Sequence, residues 1–123
     1  MDNIFKIAKS EMLNADTFLL TIESERIAKK ARPGQIVHVK CGNGTEVYLR
    51  RPISICSVDR EKGTFDLAIQ IRGKGTKILS NMKPGDEIDI IGPLGQGFSL
   101  YPKHRKIIVV GGGIGIFPLL QLL

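Results

Sequence analysis

The chain has 123 residues, 42% hydrophobic and 24% charged, with 18 basic against 12 acidic side chains and a net charge of +6. That balance excludes intrinsic disorder and a collagen-like repeat, and it leaves room for one ordinary domain and the start of another. Five Phe, two Tyr and no Trp leave the core to Ile, Val and Leu, while fourteen Gly and six Pro point to many tight turns and a β-rich fold.

The opening residues, Met1 to Lys6, lack the apolar run of a signal peptide. Phe18, Leu20 and Ile22 alternate with polar neighbours and predict a strand. Pro33-Gly34 predicts a type II turn, with proline presetting φ and glycine accepting the positive φ that follows. Val37 and Val39 alternate with His38 and Lys40, and Asn43-Gly44 is a further turn signal. A strand is expected over residues 53–58, then a turn over 59–63. The clearest strand follows, with Phe65, Leu67, Ile69 and Ile71 on one face and Asp66, Ala68 and Gln70 on the other. The period then changes: Leu79 and Met82 stand three apart, which predicts one short helix over 76–82 with Thr76 as its N-cap. Pro84-Gly85 repeats the turn device, and a strand resumes over 87–91. About six strands with one late helix indicate a small, mainly β, antiparallel barrel.

A linker is expected near Tyr101-Pro102-Lys103, dividing a barrel over 1–101 from a second unit over 102–123. In the second unit, 106–110 is a continuous apolar run of the buried-strand type, 111–115 a glycine turn, and 116–123 the start of a helix. That is the opening of a parallel α/β unit, which needs roughly 30 residues or more to complete. The sequence is therefore expected to be a fragment, or a protein without its second domain. From Ile107 to Leu123 no residue is charged, but four glycines, Pro118 and Gln121 favour strand, turn and helix over a membrane span. No membrane partner is expected. The apolar tail from Ile114 onward is expected to be exposed and to cause self-association.

The basic residues are dispersed, with small clusters at 28–32 and 103–106 whose simplest reading is a solvated surface. Cys41 and Cys56 are too few for a disulfide scaffold or a four-ligand metal site, and they read as reduced thiols in the cytoplasm. His38 and His104 stand alone, so no metal site and no catalytic acid–base set is expected.

Four motifs carry chemistry. In Leu49-Arg50-Arg51-Pro52-Ile53-Ser54-Ile55, a guanidinium can grip a phosphate, proline suits an edge or bend, and Ser54 faces away from Ile53 and Ile55. In Ile71-Arg72-Gly73-Lys74-Gly75-Thr76, glycines precede a helix whose first amides can meet an anion; it is not a Walker A loop. Gly92-Pro93-Leu94-Gly95-Gln96-Gly97-Phe98 is a rigid, side-chain-poor exit turn. Val110-Gly111-Gly112-Gly113-Ile114-Gly115 follows an apolar run and opens a helix, the context of a dinucleotide site, although Ile116 stands where a third glycine of G-x-G-x-x-G would fall.

In this order the four motifs resemble the ferredoxin–NADP reductase superfamily. Within it, Leu49–Ile55 and Gly92–Phe98 look most like the electron-transfer subunits of bacterial NAD-dependent dihydroorotate dehydrogenases. The resemblance implies a six-stranded Greek-key barrel binding FAD, followed by the truncated start of an α/β nucleotide-binding domain. It implies that Arg51 meets the FAD pyrophosphate, that Pro52 and Ile53 line the flavin, and that Ser54 lies near its reactive edge. Ile69, Gln70 and Ile71 would touch the cofactor through backbone, and Gly75 and Thr76 would hold the pyrophosphate. Gly111, Gly112, Gly113 and Gly115 would begin an incomplete NAD site. A [2Fe–2S] cluster is expected only in a full-length protein, because neither Cys41 nor Cys56 matches the family's cluster cysteines. The implied partner is an FMN-containing catalytic dihydroorotate dehydrogenase subunit in a hetero-oligomer. The alternatives are another NAD(P)H-dependent ferredoxin or flavoprotein reductase subunit, and a basic RNA-binding barrel, for which aromatics are few and charge is dispersed.

Overall fold

A computed structural model describes residues 3–42, 49–98, 106 and 108–122. Alternation works as predicted in β2 (Thr17–Glu23), where Phe18, Leu20 and Ile22 are buried, and in β5 (Thr64–Gln70), where Phe65, Leu67 and Ile69 are buried. The two strands pair antiparallel along their whole length, which sets Leu20 beside Leu67 and Ile22 beside Phe65 on the core-facing side of the sheet. β3 (Ile36–Val39) and β6 (Glu87–Leu94) add Val37, Val39, Ile88 and Ile90. β4 (Arg51–Asp59) contributes Ile55. Each such side chain contributes about 1.5–3 kcal/mol by leaving water, so this aliphatic set drives closure.

The strands close into a barrel in the order β1-β2-β5-β4-β3-β6, with every neighbouring pair antiparallel. β3, β4 and β5 run consecutively, and β6 returns beside β3, which is the expected Greek key. β1 (Ile4–Met12) carries no clear pattern in sequence because only Ile7 is fully buried. It seals the barrel by pairing β2 on one side and β6 on the other.

Two helices bridge the long connections. α1 (Glu25–Lys30), which the patterning does not predict, covers most of the basic cluster at 28–32. Ser24 caps it, its hydroxyl accepting from the Ile27 amide at 3.1 Å, and Ile27, Ala28 and Ala31 are buried. α2 (Lys74–Ser80) starts two residues earlier than predicted, and its N-cap is Gly73 rather than Thr76. Both Pro-Gly turns form as expected. Gln35 donates to the Arg32 carbonyl at 3.1 Å with Gly34 at φ +93, and Asp86 donates to the Lys83 carbonyl at 3.0 Å with Gly85 at φ +92.

The exit loop after β6 folds onto the first of these turns. The Phe98 amide donates to the Pro33 carbonyl at 2.8 Å, and a Cβ on Gly97 would stand 2.7 Å from that oxygen. The Asn43-Gly44 turn, His104 and the Tyr101-Pro102-Lys103 boundary lie outside the described residues. The strand expected over 106–110 does not form at Lys106 or at 108–110, and Ile108 and Val110 are 90% and 84% exposed. A strand of this type exists only through ladder bonds to neighbours, and none is present among the described residues. A 3₁₀ turn (Gly113–Ile116) then leads into α3 (Phe117–Leu122), close to the helix expected there. α3 lies on β4, so Phe117, Pro118 and Leu119 are half-buried, while Ile116 and Leu120 stay exposed as expected of the tail. No described helix is long and apolar enough to cross a membrane.

Candidate cofactor-binding site

The strand registers open a cleft. Residues 51–54 of β4 pair with β3 on one side, but β4 joins β5 only from Ile55 onward, with a bulge between Ile55 and Ser57. On the facing strand, Ala68, Ile69 and Gln70 pair with β2 alone. Between these two half-paired segments lies a cleft of about 340 Å³. This is why Pro52, which cannot donate to a ladder, is tolerated in an interior strand: its cleft-facing side is locally an edge. The bulge also breaks the alternation, so Ile55 and Cys56 are both buried.

The sequence-predicted residues converge here. Arg51, Pro52, Ile53 and Ser54 form one wall, with Ile69 and Gln70 opposite. Arg72 and Thr76 also line the cleft, and Ile114, Gly115, Phe117 and Pro118 close a further side. Gly75 is buried beside it, because a Cβ there would lie 3.5 Å from Arg51 Nε and 3.1 Å from Cys41 Sγ. Ile71 does not line the cleft; it leaves the strand with its amide bonded to the Asp16 carbonyl at 2.7 Å and packs against the core. Gly111 lies close under the helix, where a Cβ would meet Ile116 and Leu119 at 2.9 Å, whereas Gly112 and Gly113 border open space.

The donor set suits an anion. Among the described residues no acceptor takes a hydrogen bond from the Arg51 guanidinium, although its neighbour Arg50 is spent on Asp89, His38 and the β6 backbone. A backbone bond from Lys77 to the Gly73 carbonyl at 3.0 Å closes the first turn of α2, and among the described residues no acceptor takes the Gly75 or Thr76 amide. The Thr76 hydroxyl is already engaged: it accepts from the Arg72 amide at 2.7 Å and donates to the Gly73 carbonyl at 3.2 Å. Thr76 therefore offers a ligand its amide, while its side chain shapes the turn. Ser54 is half-buried, and its hydroxyl has no partner among the described residues. A cationic end, two free amides, a free hydroxyl and apolar walls fit a cofactor with a planar ring and a phosphate-bearing tail.

Cys41 lies directly beneath this end. Burial pushes its thiol above the usual 9.0, and the Arg51 charge pulls it part of the way back. Cys56 is raised by burial and by the Asp66 charge, against a hydrogen bond from Ser57. Both are free thiols, and no group of three or more His, Cys, Asp or Glu among the described residues could hold a metal. Sequence reasoning did not assign Arg72 to the site. Its position just before the glycines was the available signal, but that signal says nothing of where the side chain is held.

Comparison with known proteins agrees with this geometry. The profile of the oxidoreductase FAD-binding domain family matches residues 4–98. The electron transfer subunit of dihydroorotate dehydrogenase B (NAD(+)) from Desulforamulus reducens is 44% identical over 124 residues, a match spanning 99% of this chain and 47% of that protein. The chain thus spans about half the length of the curated relatives it matches. Among solved structures, an NADH-dependent reduced ferredoxin-NADP oxidoreductase superposes with TM-score 0.71 and 34% identity, over 77% of this chain and 34% of that one. The ferredoxin-NADP+ reductase of Plasmodium falciparum, 22% identical, shares the fold with TM-score 0.79 over 98% of this chain and 49% of its own. These matches set aside the RNA-binding alternative. With most of its length matched and a cleft suited to the ligand, the chain belongs to the oxidoreductase FAD-binding domain family.

Proposed function

We propose that the cleft between β4 and β5 holds FAD, and that the chain is the flavin-binding part of the electron-transfer subunit of an NAD-dependent dihydroorotate dehydrogenase. The observation that carries this is the Arg51 guanidinium lying over Gly75, without an acceptor among the described residues, in the cleft that Thr76 of α2 also lines. Arg51 and the Gly75 and Thr76 amides would hold the diphosphate, since charge-assisted hydrogen bonds to an anion are the stronger kind. Pro52 and Ile53 would wall the ring system, with Ser54 offering its hydroxyl to the reactive edge. Ile69, Gln70 and Ile71 would approach through backbone; Ile71 is the weakest of the three, because its amide is already bonded to Asp16.

A bound flavin supplies hydride acceptance and stepwise electron release, while the protein supplies position, polarity and exclusion of water. The half-buried Phe117 and Pro118 serve exclusion, since α3 lies across the cleft's open side. Gly111, Gly112, Gly113 and Gly115 would begin the nicotinamide-nucleotide site, so residues 102–123 would be the start of a second domain and 1–101 the barrel. The [2Fe–2S] cluster would lie outside these 123 residues, the partner would be an FMN-containing catalytic subunit, and the compartment the cytoplasm. A second reading, a subunit of another NAD(P)H-dependent reductase, is favoured by the 34% identity to the ferredoxin-NADP oxidoreductase.

The test is to reconstitute the purified protein with FAD, remove the excess and measure bound flavin. One flavin per chain is expected, with affinity falling about 10-fold or more in Arg51→Ala, the loss of a hydrogen bond to a charged group. A protein that stays colourless, or an Arg51→Ala variant that binds as well as the parent, overturns the reading. Electron transfer to each candidate catalytic partner separates the two readings.

A further inference from the structure

We propose that Arg72 is a second phosphate-directed cation of the cleft, held in place by Asp16 and Gln70, and that it makes the site select FAD over FMN. This rests on the flavin reading above. Arg72 lines the same cleft as Arg51 but arrives from a different element, the connection between β5 and α2. Its side chain is directed by a relay. Arg72 Nε donates to Gln70 Oε1 at 2.7 Å, and Gln70 Nε2 donates to Asp16 Oδ2 at 3.0 Å. The Asp16 loop is itself pinned, its own amide and that of Thr17 both donating to Asn14 Oδ1, at 3.0 and 2.9 Å. At the other end of the residue, the Arg72 amide is held by the Thr76 hydroxyl.

The consequence is a divided guanidinium. The Nε–H is spent on Gln70, while the two terminal nitrogens have no partner among the described residues. A fork in that state can still engage one anionic group through two parallel N–H donors. Arg51 alone can satisfy the single terminal phosphate of FMN. FAD adds a second linked phosphate, and Arg72, bonded through its amide to Thr76, adds a charged fork for it beside the Gly75 and Thr76 amides. Asp16 and Gln70 touch no phosphate in this scheme; they are positioning residues that keep Arg72 from relaxing into water.

The experiment is a fluorescence titration of the apoprotein with FAD and, separately, with FMN. The parent is expected to prefer FAD. Arg72→Gln should lower FAD affinity about 10-fold or more while changing FMN affinity by less than about 3-fold, since one charged hydrogen-bond set is lost and the other kept. Arg72→Lys, which keeps the charge but loses the fork and the Nε bond, should not restore the ratio. Gln70→Leu should narrow the ratio with Arg72 intact, a change that a purely structural residue would not make. An equal loss for both flavins, or no loss for either, overturns the proposal while leaving the FAD reading standing. Failure of the parent to bind either flavin overturns the underlying reading instead. Circular dichroism of each variant confirms folding, which substitutions at the exposed Arg72 and the half-buried Gln70 should leave unchanged.

Discussion

Arg51 Nε lies 3.5 Å from the point where a Cβ would stand on Gly75, and the buried Cys41 Sγ lies 3.1 Å from the same point. A β-strand cation, a helix start and a thiol thus meet at a spot where only a residue without a side chain fits. The register break between β4 and β5 makes this meeting possible, because it leaves the β4 segment open toward α2.

Gly75→Ala should destabilise the protein by about 1 kcal/mol. Alanine gains up to ~1 kcal/mol in a helix, but overpacking a fixed neighbour costs ~1–3 kcal/mol. Cys41 is 2% exposed and cannot yield. The double variant with Cys41→Ala should recover most of the loss, and a urea-denaturation double-mutant cycle reads that coupling. Simple additivity would mean that the contact carries no strain.

Asp89 and Arg50 form an ion pair at 2.9 Å with each side chain about a quarter exposed, and Arg50 also donates to the Asp89 carbonyl at 3.2 Å. Asp89→Asn keeps the acceptor and removes the charge. It should lower stability by about 0.5–1 kcal/mol, within the range of partly solvated pairs. Raising the salt concentration should shrink the difference, whereas a salt-independent loss would assign the effect to packing.

The two thiols set an alkaline limit. Each has a folded pKa above its unfolded value, chiefly through burial. Their contribution to stability is therefore fully present below the usual thiol value of 9.0 and is lost as pH rises through the folded pKa. Melting curves above pH 9 should fall more steeply for the parent than for the Cys41→Ala, Cys56→Ala variant. Thiol titration of the folded protein at pH 8 should be slow for both residues and fast after unfolding; prompt labelling in the folded state would contradict their burial.

The apolar residues near the C-terminus should drive self-association of the 123-residue chain. Ile108 and Val110 are almost fully exposed, and Ile116 and Leu120 about half. Light scattering should detect oligomers that diminish in the Ile108→Ser, Val110→Ser variant. A monodisperse monomer of the unmodified chain would count against this.

Much of this molecule can be read from local pattern. Period-two alternation exposed the core faces of β2 and β5, Pro-Gly pairs placed two turns, and the change of period near Thr76 marked a helix, two residues late at its start, because each depends on near neighbours in sequence. β1 escaped because its surface is mostly wet, α1 because six residues complete too few turns to show a period, and no strand forms at Lys106 or at 108–110 because pairing partners, not an apolar run, make a strand. The motif order directed attention to Arg51, Ser54 and Thr76 without any geometry. The parting of β4 from β5, the convergence of Arg51 on Gly75 across 24 positions of chain, and the relay from Asp16 through Gln70 to Arg72 emerge only on folding. Clefts arise where distant strands stop pairing, and no window of neighbouring residues contains that information.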